Sequence, residues 1–337
     1  MEAVPEWLLD VVRCPEDGGA VRAEADALRC ERCDRRYMSD GGVLVLLPDR
    51  LRQIHGDERP DSRARHGSHG HDEHVRWIED ELEWWNEWHE RDPLRPMSPT
   101  AGLRGRSRER NLMRHVRDRV PADGLVVEMG AGTSRTVAGL WPPAANGLRY
   151  VATDVSLPAL QAGRRIIGPN AASVMCDAVG GWPFAEGVAD AMLVLGVLHH
   201  LSDWRAALER ACLTVRPGGL LVMHEVVEKP RVLARYRSGG ANDAWVSPHE
   251  GDVPAAGIRE ILERHGEVLR WRGEESPLRF ALYKYVVERR GHYQRLESSA
   301  ALSAAFNAAD QVFGRALGRV FPSLGFHEVT AIWQRAG

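Results

Sequence analysis

The sequence predicts a doubly wound α/β fold with a mostly parallel sheet, and three observations carry the prediction. The apolar run Leu125–Met129 contains an acid and breaks into a glycine pair, Gly130 and Gly132, as a buried strand does before a tight turn and a helix. Two further apolar runs, Leu148–Asp154 and Ser173–Asp177, each end in a carboxylate. From about residue 121 to 227, five such runs alternate with helical patterns, as in a parallel sheet with right-handed crossovers.

Each of these elements has a chemical reading. The two glycines let the backbone turn sharply and approach a ligand without a Cβ in the way. Arg135 stands where a dinucleotide fingerprint wants its third glycine, which argues against a nicotinamide site. In a doubly wound sheet, ligands lie beyond the carboxyl ends of the strands where the strand order reverses. Glu128, Asp154 and Asp177 would therefore ring one crevice, offering partners to an ammonium, a pair of ribose hydroxyls and an adenine amino group. An acid at a strand end also serves as a helix cap or a solvated loop residue.

In these residues the sequence resembles the class I S-adenosylmethionine-dependent methyltransferases. Glu128 to Ser134 matches their first motif, E/D-x-G-x-G-x-G, with Ser134 in place of the last glycine. Asp154 matches the ribose-binding acid, Cys176-Asp177-Ala178 the adenine-contacting segment, and Asp190 to Leu201 the fourth strand and its loop. Arg216-Pro217-Gly218-Gly219 with Leu220 to Glu225 matches the turn and fifth strand. The resemblance implies a seven-stranded Rossmann-like methyltransferase sheet. It also implies S-adenosylmethionine as cofactor, held by Glu128, Gly130, Ala131, Gly132, Thr133, Asp154, Val155, Asp177, Ala178, Leu195 and Gly196.

After the fourth strand comes a histidine pair, His199 and His200. A neutral alcohol must lose its proton as it attacks a methyl group, and an imidazole titrating near neutrality suits that task. One histidine is expected beneath the adenosine and the other toward the acceptor; both serving structure is the competing reading. Glu225, ending the fifth strand, is a candidate second base. The Asn/Asp-Pro-Pro-Tyr tetrapeptide of nucleobase amine methylation is missing, since Leu195-Gly196-Val197-Leu198 stands in its place.

The remaining chain divides by composition. Residues 1–50 form a small unit in which Cys30-Glu31-Arg32-Cys33 is a C-x-x-C knuckle and Cys14-Pro15-Glu16-Asp17 is a knuckle with aspartate in the fourth place. This is zinc-ribbon spacing. The segment resembles the zinc-ribbon proteins that activate tRNA and translation-factor methyltransferases. Either Cys14, Asp17, Cys30 and Cys33 hold a structural zinc, or the ribbon keeps its fold without one. Residues 51–71 read as a polar linker, and His66, His69, His71 and His74 as a solvated histidine-rich stretch rather than a metal site.

Residues 72–120 read as a helical cap. Trp77, Trp84 and Trp88 recur at helical spacing beside Ile78, Leu82 and Trp85. Trp84, Trp85 and His89 are candidates to roof the acceptor pocket, because the family places its substrate wall ahead of the first motif. A second helix, from Leu103 to Val120, carries seven arginines. The catalytic domain fills residues 121–337, with insertions at 228–254 and 276–324. The first insertion reads as a lid, with Trp245 and His249 as candidate substrate contacts. The second, with a helix from Ala300 to Val320, completes the substrate wall or makes a dimer face. Glu267 to Arg272 is expected as the sixth strand and Val329 to Gln334 as an antiparallel last strand.

With 44 basic and 47 acidic side chains, the net charge of -3 supplies no bulk field toward nucleic acid or anionic membranes. No run reaches the roughly 18 apolar residues of a membrane span, so a cytoplasmic location is expected. Five cysteines, an odd number, argue for thiols rather than a disulfide scaffold. The expected function is methyl transfer from S-adenosylmethionine to a small-molecule acceptor at oxygen, with a homodimer as a further expectation. Methylation of RNA held by the ribbon and the arginine helix is the alternative. A non-catalytic cofactor-binding subunit is a third.

Overall fold

Eleven strands hydrogen-bond into one sheet in the order β1-β2-β3-β4-β7-β6-β5-β8-β9-β11-β10. The computed structural model describes residues 4–25, 27–52, 73–91, 112–140, 147–168, 170–227, 247–274 and 328–337, with helical positions at 305, 308–309, 311–313 and 315–316. The side chains of 88–91 and 139–140 are not among them. The expectations for Trp88, His89, the arginines from 104 to 110, Trp245, His66, His69, His71 and most of 276–327 lie outside the described residues.

The centre of the sheet is β5 (Leu125–Met129), whose five residues are all buried, as suits a strand covered on both faces. It pairs in parallel with β6 (Arg149–Asp154) on one side and β8 (Ala189–Leu195) on the other. Beyond these lie β7 (Ala171–Met175) and β9 (Val215–Val226), also parallel. The chain thus winds outward from β5 in one direction and then the other, so the loops after β5, β6, β8 and β9 share one edge.

At one end of the sheet the last strand is antiparallel, as expected. The last strand, β11 (Glu328–Arg335), inserts antiparallel between β9 and β10 (Gly266–Glu274), leaving β10 at the edge. At the other end the N-terminal cysteine-bearing segment is bonded into the sheet. Its meander consists of β1 (Val21–Ala23), β2 (Ala27–Cys30), β3 (Arg36–Asp40) and β4 (Val43–Val45). The last of these pairs in parallel with β7, Leu44 opposite Val174 and Val45 opposite Met175. The expected count of seven strands therefore covers only β5–β11, because β4 continues the ladder at an edge that would otherwise present unpaired N–H and C=O groups. Leu8, Val11 and Tyr37 share one buried cluster with Val151 and Val174.

The helices cover both faces. They are α1 (Glu6–Val11), α2 (Asp49–Arg52), α3 (Glu73–Arg91), α4 (112–119), α5 (Arg135–Leu140), α6 (Leu157–Ile167), α7 (Trp204–Thr214) and α8 (Ala255–His265). Ser156 caps α6 by accepting from Ala159 N, and Asp203 caps α7 by accepting from Ala206 N. Val75, Ile78 and Leu82 of α3 bury into a cluster with Leu112, Met113 and Val116 of α4 and Leu160 of α6. Arg114, Arg117 and Arg119 of α4 point outward and are exposed.

Ser134, in the position of the motif's last glycine, has φ of +53°. A side chain in this left-handed region costs about 1–2 kcal/mol, and glycine's larger folding entropy offsets part of that. Ser134→Gly is expected to leave stability unchanged or raise it by up to about 1 kcal/mol. Ser134→Val is expected to lower it by at least about 1 kcal/mol. Urea denaturation of the two variants beside the parent checks both.

Candidate functional site

The turn after β5 is held from below and from the side by acids. The buried Glu128 carboxylate accepts from the Tyr150 hydroxyl, and Thr153 Oγ1 donates to the Glu128 carbonyl at 2.7 Å. Burial, and then the Glu128 charge, push the Tyr150 phenol well above its ordinary value, so it stays a donor. Asp154 accepts from Gly132 N and from Ser156 N, both at 2.8 Å. One carboxylate thereby fixes the glycine turn and opens α6, and each oxygen keeps a lone pair for a ligand hydroxyl.

The glycines divide by what surrounds them. A Cβ on Gly130 would stand 2.2 Å from Val197 Cγ2, so this position admits no side chain. Positions for a Cβ on Gly132 and Gly196 meet nothing within 4 Å. Both have positive φ, +51° and +73°, and both face open space from the loops after β5 and β8. This is the cradle that a ligand lying along the sheet edge would fill. Ala131, Val155, Ala178 and Leu195 are partly exposed around it, while Thr133 is buried.

Asp177 is more heavily engaged than the sequence suggested. Its oxygens accept from Val179 N and Gly180 N, both at 2.8 Å, and it is 3% exposed. His74 Nε2 stands 2.7 Å from Asp177 Oδ2, and His74 Nδ1 is 2.7 Å from Ser202 Oγ. His74, expected in a solvated stretch, instead opens α3 and bridges two loops of the crevice.

The histidine pair occupies a 3-10 turn, Leu198–His200. His199 is buried between two carboxylates: Nδ1 bonds Glu225 Oε1, and Nε2 is 3.6 Å from Glu250 Oε1. Glu225 is 0% exposed and also accepts from Val197 N, Leu198 N and Val226 N. Burial alone would raise its pKa, but His199 and these N–H groups outweigh that and hold the carboxyl below its ordinary range. Glu225 is therefore enclosed in protein and presents no oxygen to an acceptor, contrary to its expected place as a second base.

His200 differs. Its Nδ1 is 2.8 Å from Ser247 Oγ and 3.4 Å from Glu81 Oε2. Its Nε2 has no hydrogen-bonding partner among the described residues. Burial and the neighbouring His199 lower its pKa, against the opposing pull of Glu81 and Glu250. The ring is thus a neutral imidazole with one nitrogen bonded and the other open.

Helix α3 roofs this turn. Trp77 Nε1 donates to the His200 carbonyl at 2.8 Å, and Trp85 lies edge-on to the His200 ring at 5.2 Å between centroids. Trp84 packs against Trp85, 4.7 Å between centroids. The buried Glu81 accepts from Trp85 Nε1 at 3.0 Å and from His249 N at 3.1 Å. His249 stacks on Trp77 at 4.3 Å and bonds Asp80 at 2.7 Å, so it pins the 247–251 segment to the roof. Ser156 Oγ donates to Asn86 Oδ1 at 2.8 Å. Trp84, Trp85 and His249 are thus brought together with His200. His74, Glu81, Asn86, Ser247 and Glu250 were missed. The steps from His74 to Trp77, Glu81 and Trp85 keep to one helix face, and that polar stripe among the tryptophans was the available signal.

At the other end of the sheet, Cys14, Asp17, Cys30 and Cys33 each offer one ligand atom, all within 4.8 Å of one another. Cys14 Sγ and Cys33 Sγ are 3.7 Å apart, close to the sulfur–sulfur edge of about 3.8 Å that tetrahedral zinc–thiolate bonds of about 2.3 Å require. Arg32 N and Cys33 N donate to Cys30 Sγ at 3.3 and 3.4 Å. The backbone N–H groups of Glu16 and Asp17 do the same for Cys14. Asp17 has its pKa lowered to about 2, first by the Gly19 N–H and then by the cysteine side chains around it. A Cβ on Gly19 would stand 2.9 Å from both Asp17 Oδ1 and Cys30 Sγ, so that glycine leaves the cluster room. Three sulfurs and one carboxylate oxygen in this geometry fit a tetrahedral zinc ion.

Residues 127–223 match the family described as "Methyltransferase domain". No curated protein matches the chain. Among solved structures, geranyl diphosphate C-methyltransferase from Streptomyces coelicolor A3(2) aligns with a TM-score of 0.50 and 14% identity, covering 77% of this chain and 98% of that one. Phosphoethanolamine N-methyltransferase 2 of Haemonchus contortus, in complex with S-adenosyl-L-methionine, gives 0.49 and 12%, over 75% and 60%. A chain of the complex containing the Haloferax volcanii Trm112 methyltransferase activator gives 0.43 and 15%, over 71% and 97%. At these identities the likeness concerns the fold. The glycine cradle and the strand-end acids Glu128, Asp154 and Asp177 all lie within this segment matched to the methyltransferase domain.

Proposed function

We propose that the protein transfers a methyl group from S-adenosylmethionine to a hydroxyl of a small-molecule acceptor, with His200 as general base. The observation that carries this is the open Nε2 of a neutral imidazole beneath a tryptophan-rich roof. S-adenosylmethionine supplies an electrophilic methyl on a sulfonium, and what this chain's residues must add is position, exclusion of water and a place for the acceptor's proton. Gly130, Gly132, Asp154 and Gly196 would hold the cofactor along the sheet edge, with Ala131, Thr133, Val155 and Leu195 as its walls. Asp177 and Ala178 would border the adenine, with His74 beside them.

The acceptor would enter between the histidine turn and α3. Trp84 and Trp85 give it an apolar wall. The buried carboxylates Glu81 and Glu225, with the partly buried Glu250, would favour the positive charge that His200 gains on taking the acceptor's proton. His199 would serve structure, tying the turn to β9 through Glu225. A small acceptor suits this roofed turn better than a nucleic acid does, since the described arginines of α4 are exposed and none of them contacts it. Cys14, Asp17, Cys30 and Cys33 would hold one structural zinc.

Asp154→Ala is expected to weaken S-adenosylhomocysteine binding at least tenfold in calorimetric titration. His200→Ala should keep that affinity within threefold and lose turnover by a factor of about 10²–10⁴, read as S-adenosylhomocysteine release over a panel of phenols and sugars. Full turnover in His200→Ala would sink the base assignment. One zinc per chain is expected by elemental analysis, with chelation lowering the melting temperature; Cys33→Ser should abolish both. Because folding lowers the Glu225 pKa, its stabilisation is full above the ordinary value of 4.5 and is lost as pH falls through the folded value. The gap in melting temperature between the parent and Glu225→Gln should therefore narrow below about pH 4.5.

A further inference from the structure

Glu81 lies midway along α3 and far from the glycine loop in sequence, yet it is 4% exposed and touches the histidine turn. The neutral His200 ring has two tautomers, and only one leaves Nε2 free to take a proton. Its Nδ1 faces two oxygens. Ser247 Oγ, at 2.8 Å, is a hydroxyl that can donate or accept, so it favours neither tautomer. Glu81 Oε2, at 3.4 Å from the same nitrogen, belongs to a carboxylate, which when ionised can only accept.

We propose that Glu81 is a positioning residue: reaching from α3, it fixes the His200 proton on Nδ1 and so keeps Nε2 as the basic nitrogen. The catalytic meaning of this rests on the reading of His200 as the base. Glu81 is itself held in place, because Trp85 Nε1 and His249 N donate to its two oxygens. Burial would raise its pKa, but His200, Ser247 and the His249 N–H outweigh that, and the carboxyl lies below its ordinary range and stays ionised. Trp77 fixes the other half of the geometry by donating to the His200 carbonyl. The charged and titratable groups around His200 are Glu81 from α3, His199 on its own turn, and Glu250 from the 247–251 segment, which lies against His199 Nε2. Of these, Glu81 is the carboxylate that faces His200 Nδ1. The roof that walls the acceptor thereby also prepares the base, and an α3 displaced from the turn would leave His200 without its tautomeric preference.

The test is long-range proton–nitrogen NMR on the full chain labelled with ¹⁵N-histidine and saturated with S-adenosylhomocysteine. His200→Asn identifies the signal. The parent should show His200 protonated on Nδ1 and bare on Nε2. Glu81→Gln should reduce that preference at least tenfold and move the His200 titration midpoint to lower pH, since Glu81 is an anion that raises it. Glu81→Asp should keep the parent's tautomer. S-adenosylhomocysteine affinity should stay within threefold in both variants. A His200 carrying its proton on Nε2 in the parent, or an unmoved tautomer and midpoint in Glu81→Gln, would overturn the proposal. Should Glu81→Gln fail to fold, Ser247→Ala decides: it keeps the Nδ1 proton if Glu81 sets the tautomer, and loses it if the hydroxyl does. Turnover of His200→Ala is read separately, so a failed base assignment and a failed role for Glu81 give different results.

Discussion

Parallel strands that end together on one edge leave a row of backbone N–H groups with no ladder partner, and the site is built on how those groups are satisfied. Asp154 accepts from two of them, Asp177 from two more and Glu225 from three. An unpaired buried N–H costs about as much as a lost hydrogen bond, and at Glu225 the N–H groups, after His199, help hold the carboxyl below its ordinary range. The strand-end acids are thus structural first. The lone pairs that remain are most accessible at the partly exposed Asp154 and least at the enclosed Glu225.

The roof follows from the same edge. Histidines tie the roof down: α3 brings His74 to Asp177, and the 247–251 segment brings His249 to Asp80 of α3. The apolar face of α3, Val75, Ile78 and Leu82, sets how deep the helix sits. Its polar stripe then falls on the histidine turn because residues three and four apart share a face. Packing places the helix, and electrostatics decides which nitrogens of the turn carry protons.

At the opposite edge, β4 extends the ladder, so the N-terminal unit and the central sheet share backbone hydrogen bonds and a buried cluster. Arg50, following β4 in the chain, lies 3.8 Å from Asp177. A Cβ on Gly181 would meet Pro48 at 2.8 Å and Pro15 at 3.4 Å. The cysteine knuckle and the turn after Asp177 are therefore packed against each other through small residues and prolines.

By itself the sequence determined the strands, their order around β5 and the glycine turn, because burial on both faces and the need for positive φ leave local marks: Leu125–Met129 is uniformly apolar but for one acid, and Gly130 and Gly132 follow it. It also determined the cysteine cluster, since metal-ligand spacing is local to each hairpin. Only the tertiary structure decided what each polar side chain faces. Glu225 looked free at a strand end and is enclosed by three N–H groups and a histidine. His74 looked solvated and bridges two loops. Glu81 was unremarked among tryptophans, and its partner His200 lies more than a hundred residues away in the chain. The physical reason is the same in each case: the charge and hydrogen bonding of a buried group depend on which distant segments the packing brings against it, and no local pattern in the chain encodes that.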